Sequence, residues 1–189
     1  MYLVVGLGNP GEKYKLTRHN VGFLAVDSLV KSYGFSSENS KYNSDFFKGS
    51  IGDQKILAIK PMTFMNESGK AVSAFSNFYK IPAENIIVLH DDLDLDLAKI
   101  KIKIAGGIAG HNGLRSINSM VSNKYTRVRI GIDHPQNKDL VSKYVLEDFS
   151  KGEFGAINNA LDRISKLFPE ILEGNNDIFG SEVNQINKN

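Results

Sequence analysis

The stretch that most constrains this chain is Val4 to Phe23, VVGLGNPGEKYKLTRHNVGF. It joins an apolar strand, a glycine-rich turn, a tyrosine in a polar run and a histidine just ahead of an amphipathic helix. Gly6, Gly8 and Gly11 spell G-x-G-x-x-G after a hydrophobic strand, and Asp27 lies at a plausible distance for a ribose contact, so a dinucleotide site is the first reading. In that fingerprint the helix opens within the glycine run and turns its N-terminus to a pyrophosphate. Here Pro10 follows Asn9, and Glu12 to Arg18 is polar without helical apolar spacing. Asn9-Pro10-Gly11 is therefore expected to be a turn, with φ > 0 at Gly11. The helix is expected from about His19 or Asn20, with Val21, Leu24, Ala25 and Leu29 on one face and Gly34 closing it. His19 then sits at the positive end of a helix dipole, which disfavours an imidazolium and predicts a neutral ring able to accept a proton. The plainer reading is a loop histidine bonded to a nearby carbonyl.

At 189 residues, with 41% hydrophobic and 23% charged side chains, the chain suits one soluble domain with a sizeable core. No run reaches membrane-spanning length, and the chain goes straight into a strand with no basic segment and signal-type core ahead of it. This predicts a cytoplasmic protein with no membrane partner. The absence of cysteine removes disulfides, thiolate nucleophiles and cysteine-rich zinc sites. The four histidines, His19, His90, His111 and His134, show no helical metal-pair spacing, so no metal or other cofactor is expected.

The net charge of +2 says little, but its placement says more. Lys99, Lys101 and Lys103 alternate with Ile100, Ile102 and Ile104, and Arg127 and Arg129 alternate with Val128 and Ile130. Two basic strand faces can form a phosphate-binding surface. They can equally be a solvated sheet face or an edge strand that deters pairing.

In order, Tyr2 to Leu7 reads as a buried strand, Ser36 to Ser44 as a polar loop, and Phe46 to Ile51 with Lys55 to Ile59 as a hairpin about Gly52-Asp53. In KPMTFMNESGKAV, Asn66 is placed to cap a helix whose stripe is Ala71, Val72, Phe75 and Phe78 or Tyr79. Phe64 and Met65 precede it as a hydrophobic staple or the lip of a pocket. A strand from Ile86 to Leu89 runs into His90-Asp91-Asp92-Leu93-Asp94, a carboxylate cluster where open α/β sheets gather ligands, or a solvated acidic turn. After the lysine strand comes AGGIAGHNGLRSI, where Asn112 can cap a helix to Met120. The arginine strand, a short helix near Val141, and an amphipathic helix from Glu153 to Leu167 follow. From about Gly174 the chain is expected to be loosely held.

Asn9, Asn66 and Asn112 each follow a strand and can donate from a neutral amide, while His19 and Asp91 supply a base and its orienter. Brought together, these groups are machinery for water attack on an ester.

The strings VGLGNPGEKYKLTRHNVGF, KPMTFMNESGKAV, HDDLDL and GHNGLRSI, in this order and spacing, resemble the bacterial peptidyl-tRNA hydrolase family over nearly the whole chain. The resemblance implies a single α/β domain spanning 1–189, with a twisted mixed β-sheet surrounded by α-helices in three α/β/α layers. It also implies a metal-independent, monomeric hydrolase that cleaves the ester between a peptide and the 3′-terminal ribose of tRNA, recycling tRNA from abandoned translation. By motif, His19 would activate water. Asp91 would hold its ring, with Asp92 as the competing choice, and Asn9 would help select N-blocked esters. Tyr14, Phe64, Asn66 and Asn112 would contact the tRNA 3′ end and the peptide, Met65 would line the pocket, and His111 would buttress its loop. Lys103 and Arg129 would grip phosphate near the tRNA 5′ end. The chain departs from the family pattern at Ala105, Ile108 and Ala109, where glycine or histidine is frequent. It departs again at Asp96-Leu97-Ala98, in place of a proline- and glycine-containing turn. Two other readings stay in view: a non-catalytic RNA-binding relative on the same scaffold, and a nicotinamide oxidoreductase resting on the glycine run.

Overall fold

The apolar runs 3–5 and 86–89 lack polar alternation, the pattern of strands covered on both faces. In the computed structural model, which describes residues 1–185, they form the centre of a seven-stranded sheet. Its strands are β1 (Tyr2–Gly6), β2 (Ser36–Lys41), β3 (Ser44–Ile51), β4 (Gln54–Pro61), β5 (Ile86–Asp92), β6 (Ile100–Ile104) and β7 (Thr126–Gly131). The order across the sheet is β2-β3-β4-β1-β5-β7-β6. β4, β1, β5 and β7 run parallel, whereas β2-β3, β3-β4 and β6-β7 pair antiparallel.

The α-helices of the described residues are α1 (Val21–Tyr33), α2 (Ser68–Tyr79), α3 (Asn112–Met120), α4 (Val141–Tyr144), α5 (Lys151–Leu172) and α6 (Asn176–Glu182). Residues alternate across each strand, which divides the core in two. Val4, Ile87, Leu89, Val128 and Ile130 pack with side chains of α1 and α5 on one face. Leu3, Val5, Ile86 and Val88 pack with those of α2 and α3 on the other. The resulting three α/β/α layers match the expected fold class. Ile157, Leu161, Ile164 and Phe168 of α5 are all buried. Each such side chain contributes about 1.5–3 kcal/mol relative to exposure.

The chain leaves β1 towards β4 on one side and leaves β5 towards β7 on the other. The carboxyl ends of these adjacent strands therefore border a crevice at a topological switch point. The glycine run serves this junction by close packing. A Cβ on Gly6 would lie 2.3 Å from the Gly22 carbonyl oxygen, and one on Gly22 would lie 2.3 Å from that of Leu89, so α1 starts with its backbone against the strand ends. Gly11 supplies the expected turn at φ 108°.

Several local expectations change. The polar stretch from Ser36 is the edge strand β2 rather than a loop; its mostly exposed side chains give no apolar alternation to read. Phe78 is exposed, so it does not belong to the buried stripe of α2. α5 starts at a Ser150–Glu153 capping box and runs past Pro169 to Leu172. Proline cannot donate to the Ser165 carbonyl four residues back, and Tyr33 Oη does so instead at 2.7 Å. The stretch from Gly174, expected to be loosely held, forms α6 with Phe179 and Val183 buried. Asn184 then bonds both main-chain groups of Ile100, accepting at 2.8 Å and donating at 2.7 Å. Residues 186–189 of that expected tail lie outside the described part.

Gly22→Ala should cost on the order of 1–3 kcal/mol through overpacking. Gly155→Ala, on the open face of α5, should gain up to about 1 kcal/mol from helix propensity. Thermal unfolding of the two variants should therefore shift in opposite directions.

Candidate active site

The 3₁₀ turn Arg18–Asn20 leads into α1 and carries His19 to the end of β5. Its main chain is fixed from the far side, with Arg18 N–H donating to Glu147 O at 3.1 Å and His19 N–H to Val145 O at 2.8 Å. Arg18 is itself buried. It donates to the carbonyls of Tyr144, Glu147 and Asp148 at 3.2–3.4 Å, pairs with both Glu153 oxygens, and lies 4.2 Å from the Tyr144 ring centroid.

His19 Nδ1 meets Asp91 Oδ2 at 2.8 Å, and His111 Nε2 meets Asp91 Oδ1 at 2.8 Å. The side chains are 14%, 3% and 9% exposed for His19, Asp91 and His111. His111 is the N-cap of α3; its Nδ1 accepts from Gly113 N at 3.1 Å and Leu114 N at 3.5 Å. The cap puts the proton of His111 on Nε2, where it is donated to Asp91. His19 correspondingly donates from Nδ1 and keeps Nε2 as its free nitrogen. The plainer reading of His19 as bonded to a carbonyl gives way to this carboxylate pair.

Burial alone would lower the pKa of His19, but the Asp91 charge and hydrogen bond outweigh it, and the pKa is raised above its ordinary value. The helix-dipole expectation is corrected accordingly, since a carboxylate at hydrogen-bond distance outweighs partial charges at a helix end. Burial would likewise raise Asp91, yet the two histidines hold it well below the ordinary carboxylate range. His90 is fully buried, and desolvation followed by repulsion from His111 lowers its pKa to about 3. His19, Asp91 and His111 offer nitrogen and oxygen atoms all within 4.8 Å of one another, a possible cation cluster. Both histidine nitrogens facing the carboxylate are already engaged as donors, so a metal would have to displace these protons and the α3 cap.

Asn9 is buried at the end of the β1 loop. Its Oδ1 accepts from Met65 N at 2.9 Å, which leaves Nδ2 as a donor. Asn20, not singled out in the sequence, bonds the Asn9 main chain twice, accepting at 2.8 Å and donating at 2.9 Å. Its position directly after His19 was the available signal. Met65 is buried, while Phe64 is 60% exposed at the lip of its turn. Asn66 caps no helix and is exposed. Asn112 does not cap α3 either, because His111 does; its Oδ1 accepts from Arg115 at 3.0 Å. Tyr14 lies half-buried in the turn Glu12–Tyr14.

A cavity of about 560 Å³ joins His19, Asp91, His111 and Asn112 to Lys103 and Arg129. A second, of about 610 Å³, lies between Asn66 and Asn112 and borders Lys70 and Arg115. Asn9, Tyr14, Phe64 and Met65 line neither. The basic strands are less uniform than their alternation suggests. Lys101 and Lys103 are exposed, but Arg127 is buried and donates to the carbonyls of Ala105 and Gly107, so it ties down the glycine loop. Arg129 Nε donates to Asp92 Oδ2 at 2.6 Å. Asp92 therefore holds an arginine rather than the His19 ring. Ala105 and Ala109, two of the departures from the family pattern, have φ of 58° and 47°. This left-handed region costs an alanine on the order of 1–2 kcal/mol.

An imidazole oriented by a buried carboxylate, in a cavity that also holds the Asn112 amide at the crest of an α/β sheet, is the equipment of a hydrolase. The chain's relatives have the same character. The peptidyl-tRNA hydrolase family model matches residues 3–189. A peptidyl-tRNA hydrolase of Rickettsia bellii is 46% identical over 184 residues, covering 97% of this chain and all of its own. One of Azorhizobium caulinodans is 48% identical over 179 residues, covering 95% of this chain and 88% of its own. The crystal structure of the Acinetobacter baumannii peptidyl-tRNA hydrolase superposes with a TM-score of 0.92 at 38% identity, over 97% of this chain and 94% of that one. The chain belongs to the peptidyl-tRNA hydrolase family.

Asp91→Asn removes the charge that raises the His19 pKa, leaves at most a neutral hydrogen bond, and keeps the desolvation that lowers it. The His19 imidazole should then titrate at lower pH than in the wild type, as read by NMR of the ring protons.

Proposed function

We propose that the protein hydrolyses the ester between a peptide, or an N-blocked amino acid, and the 3′-terminal ribose of tRNA. The observation that carries this reading is the His19–Asp91 pair, with Nε2 of His19 left free in a cavity of a chain that belongs to this family. His19 Nε2 takes a proton from water as the water oxygen attacks the ester carbonyl carbon. The resulting imidazolium is stabilised by Asp91. The carbon–oxygen bond to the ribose then breaks, the proton passes to the departing ribose oxygen, and the products are the free acid and the tRNA 3′-hydroxyl. Positioned general-base catalysis of this kind contributes about 10²- to 10⁴-fold. No covalent intermediate is required, because the ester is already reactive.

Asn9 contributes selectivity in this reading. Its Nδ2 is a donor, which an amide carbonyl of an N-blocked substrate satisfies and a free α-ammonium, itself only a donor, does not. Asn66 and Asn112 flank the second cavity and serve the tRNA 3′ end and the developing oxyanion, with Tyr14, Phe64 and Met65 as further contacts. His111 fixes Asp91 from the other side. Lys103 and Arg129 bind phosphate towards the tRNA 5′ end, which makes binding sensitive to salt. The chain works as a single-domain, cytoplasmic monomer in this reading; among the described residues no helix is long and apolar enough to cross a membrane.

The deciding assay compares N-acetyl-aminoacyl-tRNA with the unblocked aminoacyl-tRNA, using wild type and His19→Ala in the presence of a chelator. Selective cleavage of the blocked ester, reduced by 10²-fold or more in the variant, is expected. Wild-type protein that binds tRNA without cleaving it would favour an RNA-binding role. Wild-type activity should also fall as pH drops through the raised His19 pKa, because only the neutral imidazole accepts the proton.

In a second assay, Lys103→Ala and Arg129→Ala should each impair use of full tRNA more than of a minimal N-acetyl-aminoacyl-adenosine ester. Equal losses on the two substrates would remove the phosphate contacts from the reading.

A further inference from the structure

Asp91 and Asp92 are consecutive residues of one strand, so their side chains leave opposite faces of the sheet. Asp91 shares its face with Leu89 and Ile87, the side on which α1 and His19 lie. Asp92 shares the other with His90, whose register partner on β7 is Arg129. Alternation alone therefore sends one carboxylate to the histidine and the next to the arginine.

Asp92 is rigidly held. It is buried, its main-chain oxygen accepts from Ile132 N at 3.1 Å, and its Oδ1 accepts from Asp94 N at 2.9 Å. The remaining oxygen, Oδ2, takes Arg129 Nε at 2.6 Å. Holding a guanidinium by Nε fixes its plane and leaves the two Nη groups as a fork that matches two phosphate oxygens. Among the described residues, no protein acceptor takes the Nη groups of Arg129. Arg127, by contrast, spends both of its own on the carbonyls of Ala105 and Gly107. Both arginines of β7 line the cavity that also contains Lys103, but they have different tasks: Arg127 spends its Nη groups on securing the loop, and Arg129 keeps its own for the cavity.

We propose that Asp92 is a positioning residue that presents the Arg129 fork to a tRNA phosphate, so that adjacent aspartates orient the base and the phosphate grip separately. This rests on the reading of Arg129 as a phosphate contact. Arg129 Nε and Asp94 N–H use separate oxygens of Asp92, and an asparagine there replaces one of the two with an NH2 donor, so in this geometry it keeps one of the two bonds and not both.

The test is a double-mutant cycle of Asp92→Asn with Arg129→Ala. Each protein is assayed on N-acetyl-aminoacyl-tRNA and on the minimal N-acetyl-aminoacyl-adenosine ester across a range of salt. Asp92→Asn should raise KM for the tRNA substrate by roughly three- to tenfold, about the effect of one ordinary hydrogen bond, because Arg129 stays in place and loses only its orientation. The loss on the minimal ester should be several-fold smaller, and the acid limb of the kcat profile should stay where it is in the wild type. The salt dependence of kcat/KM should flatten by about one phosphate contact, as in Arg129→Ala. In the Arg129→Ala background, Asp92→Asn should add little or nothing.

Equal losses on the two esters, or a displaced acid limb, would overturn the proposal by showing that Asp92 acts on the base. Improved use of tRNA would overturn it by showing that Asp92 competes with phosphate. An effect that persists undiminished without Arg129, or no effect beside a clear Arg129→Ala defect, would overturn it as well while leaving the phosphate contact standing. An Arg129→Ala protein with undiminished preference for full tRNA would overturn the phosphate reading itself, and this inference with it.

Discussion

The Asp91 carboxylate is the point on which the site depends. It is almost fully buried, a position that an ionised carboxyl occupies only with compensation. Its compensation comes from two histidines, each at 2.8 Å. One is fixed by the cap of α3 and the other by the turn that starts α1, so a single carboxylate links both layers of helices across the strand end. The cap decides which nitrogen of His111 carries the proton, and Asp91 in turn decides which nitrogen of His19 is left for chemistry. A helix terminus thereby determines a tautomer at one remove, through hydrogen bonds that pass from backbone amide to imidazole to carboxylate to imidazole.

The topology brings these groups together because β1 and β5 are neighbours whose connections leave in opposite directions. The glycines that permit α1 to start directly against the strand ends belong to this arrangement, which accounts for a G-x-G-x-x-G pattern without a dinucleotide. Gly6 lets β1 approach the Gly22 backbone, a Cβ on Gly8 would lie 2.7 Å from the Phe23 ring, and Gly11 turns the chain. The same letters at the same spacing thus answer two packing requirements and one turn.

Much of this was legible in the sequence, because buried parallel strands, the amphipathic α5 and the motif loops carry strong local patterns. A base at a helix start and a carboxylate at a strand end were also legible as partners, while the choice of Asp91, with Asp92 competing, came from the resemblance of the motifs to the family. What escaped the sequence depended on distant partners. β2 is a strand only because β3 pairs with it, and its side chains are too polar to announce that. The cap of α3 falls on His111 rather than Asn112, a shift of one residue between two side chains that can both accept. The upward pKa shift of His19 comes from a carboxylate 72 residues away in sequence. Asn20, Arg18 and Arg127 were missed as supports because each bonds mainly to main-chain groups, which have no sequence signature.

The amide of Asn184 has a bearing on how the protein behaves in a crowded solution. By bonding both the N–H and the C=O of Ile100, it does for the margin of β6 what another strand would do, and so closes the start of that margin to a foreign chain. Further along, Lys101 and Lys103 give the margin a charge that discourages a second copy from adding to it. Asn184 thus acts as a selvedge on the sheet, occupying main-chain groups that an added strand would need.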